Sequence, residues 1–175
     1  MSVKKIIYCS MCAALAVAAA LVRIYTFPFG GSVTLCSMLF IMLPAWFYGV
    51  KEGILTGLVF GILQFVIEPY FLSFPQVLLD YVLAFSIMGI AGFFRSRKNG
   101  LITGYLAAVA ARWAVAVCAG LAWFYAGMSA WEGWSPLPYS MVYNAIYIFT
   151  EAALTLILLA VPAVRKALER IRKNT

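Results

Sequence analysis

The sequence predicts an all-α integral membrane protein, a single domain of six transmembrane helices over residues 1–175 with both termini in the cytoplasm. Hydrophobic residues make up 65% of the 175-residue chain, charged residues make up 11%, and the mean hydropathy is +0.97. Such a chain has too little polar surface to stay soluble. The apolar segments and the positions of the basic residues then predict the helix number and orientation.

Six apolar segments, each followed by a short connection, account for most of the chain. The first begins after Lys4 and Lys5, and we expect it to be retained because no small-residue cleavage pattern follows it. The second and third are short, and Gly49 and Gly53 bracket the charged pair between them, which predicts a tight turn. The six segments cover residues 6–25, 35–48, 53–67, 77–94, 101–125 and 139–164.

The basic residues predict which side of the membrane carries the termini. Eleven of the thirteen Lys and Arg residues lie near the termini or in loops on the same predicted side, whereas Arg23 lies opposite and Arg112 lies within a helix. Because basic residues concentrate in cytoplasmic loops, both termini are expected in the cytoplasm. This topology accounts for the net charge of +7, so the charge does not indicate nucleic-acid binding. The eleven are Lys4, Lys5, Lys51, Arg95, Arg97, Lys98, Arg165, Lys166, Arg170, Arg172 and Lys173.

The sequence has none of the common signatures of a catalytic or nucleotide-hydrolysing site. It contains no histidine, nucleophile elbow, Walker loop or HExxH motif, so neither an enzyme nor a metal or cofactor site is expected. Cys9 and Cys12 have CxxC spacing, but we interpret them as packing residues, together with Cys36 and Cys118. A stand-alone secondary transporter is an alternative, although the sequence shows no convincing internal repeat.

Polar and aromatic residues inside the helices are the candidate binding residues. A carboxylate such as Asp80 costs about 2.5 to 3.5 kcal/mol to insert, so it should face a cavity or a partner. Helical spacing places Gln76 and Asp80 on one face of the fourth segment. The last segment carries two adjacent rows, one of Asn144, Tyr147 and Glu151 and one of Tyr139 and Tyr143.

Two interpretations of these residues are open. In the first, Asp80, Arg112 and Glu151 form a structural ion-pair network, as intramembrane charges often do. In the second, a carboxylate and aromatic rings surround an organic cation, which cation–π attraction holds. The second interpretation predicts a small-molecule binding protein.

Small residues recur every four positions on two helices, which allows close helix packing. The glycine row is expected to serve internal packing. The rows of the first helix suit either internal packing or a partner subunit. The rows are Ser10, Ala14 and Ala18; Cys12, Ala16 and Ala20; and Gly53, Gly57 and Gly61.

Three blocks, LLDY, RW...AG and YS...YN, occur in the order and near the spacing of a known family, within a likeness that covers about residues 33–148. The chain resembles the thiamin-specific substrate-binding subunit, or S component, of energy-coupling factor transporters. The resemblance implies a six-helix fold in a bacterial cell membrane with thiamin in a deep pocket near the outer surface. It also implies that the AxxxA pattern of Ala14 and Ala18 docks on a transmembrane coupling subunit driven by two cytoplasmic ATPases.

The resemblance also implies which residues bind the ligand. Phe60 and Phe124 stand where some members carry a stacking Trp, while Ala116 and Glu68 stand where some members carry histidine. The implied binding residues are Asp80, Tyr81, Tyr139, Asn144, Arg112, Tyr70, Phe60, Phe124, Trp131 and Trp134.

The resemblance implies uptake without covalent chemistry and without a cofactor. We expect the subunit to capture thiamin from outside, to cover it with the loop 27–32, and to release it inward by reorienting in the membrane. An S component for another vitamin or for a thiamin precursor is the alternative within this class.

Overall fold

The computed structural model describes residues 2–71, 73–125 and 133–175. Within these residues, five helices are long and apolar enough to cross a membrane: α1 (Val3–Leu21), α3 (Val50–Ile67), α4 (Phe74–Phe94), α5 (Gly100–Tyr125) and α6 (Pro136–Ala160). The other elements are the strands β1 (Arg23–Thr26) and β2 (Ser32–Thr34), the short helix α2 (Ser37–Tyr48) and the terminal helix α7 (Pro162–Lys173). The all-α prediction is confirmed, with one small hairpin added.

The second predicted segment forms a helix of 12 residues, α2, which is almost entirely buried. At 1.5 Å per residue it covers about 18 Å, less than the roughly 30 Å of a hydrocarbon core. It nevertheless returns the chain from the hairpin to the end that carries the termini. The predicted turn after it consists of Gly49 alone, at φ 124°, and α3 begins at Val50, so Lys51 and Glu52 are helical rather than in a loop.

Both termini lie at the same end of the bundle, as the sequence predicts. The Lys4 ammonium donates a hydrogen bond to the carbonyl of Asn174. At this end Arg95 also donates to the carbonyl of Tyr48 at 2.9 Å. We call this the terminal end and the opposite one the hairpin end.

The hairpin end is closed by β1 and β2, which pair in antiparallel fashion with Tyr25 opposite Val33 and an irregularity between Arg23 and Tyr25. Arg23 forms a salt bridge with Glu68 at the end of α3, which fixes the hairpin to the bundle.

Helix α4 changes its winding along its length. It is α-helical over Phe74–Val77, π-helical over Leu78–Leu83, α-helical over Ala84–Ser86 and 3-10 helical over Ile87–Phe94. The glycine row of α3 packs against it, since a Cβ on Gly57 would clash with the Phe85 backbone and one on Gly61 with the Tyr81 carbonyl. Internal packing is therefore the role of this row.

The two small-residue rows of α1 face in different directions. Cys12, Ala16 and Ala20 are buried against the bundle, whereas Ala14 and Ala18 are exposed on its outer face. The first row is a packing row, and the second is available to lipid or to a partner.

Candidate binding site

A cavity of about 190 Å³ lies inside the hairpin end of the bundle. Its walls come from α3, α4, α5 and α6, and the hairpin residues Gly30, Gly31 and Ser32 border it. Each of the four helices contributes polar or aromatic side chains, although each is apolar enough to span a membrane. This is the site to which the candidate residues of the sequence converge.

A row of tyrosines on α6 forms one wall. Tyr139, Tyr143 and Tyr147 follow one another at i+4 spacing, and the first two rings stack with centroids 5.7 Å apart. The Tyr143 hydroxyl accepts a hydrogen bond from the Gly31 amide at 3.0 Å and donates to the carbonyl of Pro28. Tyr143 thus holds the hairpin over the cavity, where the sequence places a lid.

Asn144 joins α6 to α5 beside this row. Its amide donates to the carbonyl oxygens of Ser140 at 2.8 Å and Ala116 at 3.2 Å, and its oxygen accepts from the Tyr147 hydroxyl at 2.6 Å. The close approach requires Gly120, since a Cβ there would clash with the Ser140 hydroxyl. Asn144 therefore fixes both the helix pair and the orientation of the Tyr147 ring.

Glu151 lies deepest along α6 and is only 3% exposed. Its carboxylate accepts from the Thr34 hydroxyl at 2.7 Å and amide at 3.3 Å, and from the Ser37 hydroxyl and Met38 amide, both at 3.0 Å. The Met38 amide belongs to the first turn of α2, where N–H groups lack helical partners and the helix dipole favours a negative charge. These four donors hold the carboxylate in place, and among the described residues it forms no salt bridge.

Helix α4 supplies the opposite wall. The Gln76 amide, buried to 1% exposure, donates to Asp80 at 2.8 Å, which confirms that these side chains share a face. The Tyr81 hydroxyl donates to the carbonyl of Glu68 at 2.9 Å and accepts from the Tyr70 amide at 3.1 Å. Tyr81 thus lines the cavity while its polar end anchors the loop after α3.

Arg112 reaches the cavity from α5 with its guanidinium 4.6 Å from the centre of the Phe85 ring. Among the described residues, no salt bridge joins Arg112 to Glu151. The interpretation of Asp80, Arg112 and Glu151 as an ion-pair network stays a prediction. The guanidinium of Arg112 lies against an aromatic face, which is an established type of contact.

The structure adds wall residues that sequence reasoning missed, chiefly Phe85, which packs edge-to-face on Phe60 at 4.7 Å. Phe85 follows Asp80 by five residues. In an α-helix, side chains five residues apart point in different directions. The π-helical stretch, whose hydrogen bonds run from i to i+5, brings the two to one cavity. Thr34 and Ser37 were also missed, because only the fold carries them to Glu151.

Seven of the ten predicted binding residues line the cavity: Phe60, Tyr70, Asp80, Tyr81, Arg112, Tyr139 and Asn144. Trp134 is 46% exposed and does not line it. Trp131 and the side chain of Phe124 lie outside what the structure describes. Contact between these residues and a ligand stays a prediction.

Comparison with known families decides the family to which this chain belongs. The model of the family described as "Thiamine transporter protein (Thia_YuaJ)" matches residues 6–170. The chain belongs to the thiamine transporter family.

Relatives agree with this membership. The thiamine transporter ThiT of Bacillus subtilis is 37% identical over 155 residues, which cover 79% of this chain and 79% of that protein. A solved structure of ThiT from Listeria monocytogenes superposes with a TM-score of 0.76 at 22% identity, covering 94% of this chain and 96% of that one. The second likeness shows a shared fold. As a member of the thiamine transporter family, the protein is a multi-pass membrane transporter rather than an enzyme.

Proposed function

We propose that this protein is the thiamin-binding S component of an energy-coupling factor transporter and that the cavity at the hairpin end is its thiamin site. The observation that carries the proposal is a cavity with aromatic walls, in a member of the thiamine transporter family, whose formal charge is opposite to that of thiamin. Asp80, Glu151 and Arg112, as two carboxylates and one guanidinium, give the cavity walls a formal charge of −1. Glu68 also borders the cavity, but Arg23 already neutralises it.

Thiamin has the chemistry that such walls would bind. Its thiazolium ring carries a permanent positive charge, and its aminopyrimidine is planar with an amino group that needs an acceptor. The rings of Phe60, Tyr139 and Tyr147 offer π surfaces, and Asp80, oriented by Gln76, offers an acceptor oxygen. Arg112 is kept from the cation by its contact with Phe85.

We infer the orientation from the distribution of charge. The terminal end carries the clustered basic residues, so it faces the cytoplasm and the cavity opens toward the outside. Capture then occurs at the hairpin end, where Tyr143 and its two bonds to the hairpin control access.

The direct test is a titration of the purified protein with thiamin, followed by its own tryptophan fluorescence. We expect a saturable change with a submicromolar dissociation constant, because the cavity provides both aromatic faces and a charge partner. Riboflavin and biotin serve as controls and should give no saturable change. A response to either of them without a response to thiamin would assign the site to another vitamin.

We further propose that the exposed face of α1 docks on the coupling subunit, which two cytoplasmic ATPases drive. The exposed Ala14 and Ala18 leave space for a close helix contact. Ala14→Trp should spare thiamin binding and abolish co-purification with the coupling subunit, because an indole would fill the contact. Leu15→Trp, at an exposed position outside the row, is the control and should retain the partner. Equal retention by both variants would contradict this docking face.

A further inference from the structure

A second cavity, of about 350 Å³, lies at the terminal end of the bundle, far from the thiamin site along the helices. It is formed where the end of α2, the start of α5 and the last helix α7 meet. Five of its lining side chains are cationic and one, Glu169, is anionic. The cations are Arg97, Lys98, Arg165, Arg172 and Lys173.

Arg172 is fixed in this cavity by two contacts. Its guanidinium lies 4.6 Å from the centre of the Trp46 ring, and it donates a hydrogen bond to the carbonyl of Arg95. Burial, together with the neighbouring charge of Arg95, lowers the pKa of Arg172. The positive charge at this point is therefore poorly solvated and would gain from an anionic partner.

Two groups of backbone and side-chain donors reinforce the positive charge. The 26-residue helix α5 begins at Gly100 on the cavity wall, so the positive end of its dipole and its first N–H groups lie there. Trp46 is 3% exposed, and its indole N–H has no hydrogen-bond acceptor among the described residues.

Helix α7, which lines the cavity, has the pattern of a helix at a membrane interface. Helix α7 is amphipathic: Val164 and Leu168 pack against the core, while Arg165, Lys166 and Arg170 are polar neighbours on the same helix. Such a helix lies along the boundary between headgroups and acyl chains, where anionic headgroups meet basic side chains.

We propose that this cavity is a binding site for a phosphate group, carried either by an anionic phospholipid or by a soluble phosphate. The donors around the cavity come from two separate chain segments and from the N-terminus of a helix, so they approach from different directions. A tetrahedral phosphate can accept hydrogen bonds from all of these directions at once. The site is independent of the thiamin cavity.

The test measures the thermal stability of the purified full-length protein in uncharged detergent. One arm titrates phosphatidylglycerol against phosphatidylcholine, and the other titrates inorganic phosphate against chloride at equal ionic strength. Lys98→Gln combined with Arg165→Gln removes two cavity cations from different segments. Lys166→Gln combined with Arg170→Gln removes the same charge from α7 residues that do not line the cavity.

We expect a saturable stabilisation of the wild type in at least one arm, and the responding arm identifies the source of the phosphate. The cavity variant should bind about tenfold more weakly or worse, and the control variant should stay within about threefold of the wild type. Native mass spectrometry of retained phosphatidylglycerol should follow the same order. Equal losses in both variants, or no response of the wild type in either arm, would overturn the proposal.

Discussion

Replacing Asp80 with asparagine is expected to weaken thiamin binding at least about tenfold, or about 1.4 kcal/mol. The substitution keeps the shape of the side chain but removes the charge that would balance the thiazolium ring. It also presents an amide NH2 where the ligand's amino group needs an acceptor. Gln76 already donates a hydrogen bond to this side chain at 2.8 Å. The single oxygen of asparagine would have to accept from both Gln76 and the amino group of thiamin.

Isothermal titration of the variant with two ligands measures this effect. Wild type should prefer thiamin over the analogue with a carbonyl in place of the amino group, and Asp80→Asn should narrow that preference. Glu169→Gln is the control, since it removes a carboxylate that lies at the terminal end and does not line this cavity. Unchanged affinity with a lower melting temperature would instead assign Asp80 a purely structural role.

Replacing Glu151 with alanine is expected to cause the largest loss of stability of any single change at the site. Four donors from Thr34, Ser37 and Met38 lose their acceptor, and two of them are backbone amides in a buried place. A buried donor without an acceptor costs about 1 to 3 kcal/mol, so we expect the free energy of unfolding to fall by roughly 2 to 4 kcal/mol. Thiamin affinity should fall as well, because Thr34 belongs to the hairpin.

Thermal unfolding in detergent, with and without thiamin, measures both effects. Glu151→Gln retains the shape and one acceptor oxygen, so it should lie between wild type and Glu151→Ala. Glu169→Ala removes an exposed carboxylate from α7 and should leave the melting temperature nearly unchanged. A melting temperature for Glu151→Ala equal to that of wild type would show that water satisfies the donors.

Much of the site could be predicted from local periodicity. On α6 the wall is continuous α-helix, so 3.6-residue spacing correctly places Tyr139, Tyr143, Asn144, Tyr147 and Glu151 toward one cavity. The same reasoning succeeds for Gln76 and Asp80, of which Gln76 precedes the π-helical stretch and Asp80 lies in its first half. It fails for Phe85 because α spacing no longer holds across that stretch.

The roles of the charged residues could not be predicted in this way. Sequence spacing cannot tell whether Glu151 meets Arg112 or a helix N-terminus, since both are far away along the chain. The structure answers this with the donors of Thr34 and α2, which lie more than 110 residues from Glu151. Likewise, nothing local indicates that Arg112 packs on Phe85.

The sequence by itself determined the membrane environment, the helical class and the candidate residues of the main cavity, because composition and helical periodicity are local properties of the chain. Tertiary structure alone decided that α2 is a short buried helix, that Tyr143 holds the hairpin, and that α2, α5 and α7 enclose a second, basic cavity. These features depend on which elements meet, and side chains far apart in the chain make those contacts.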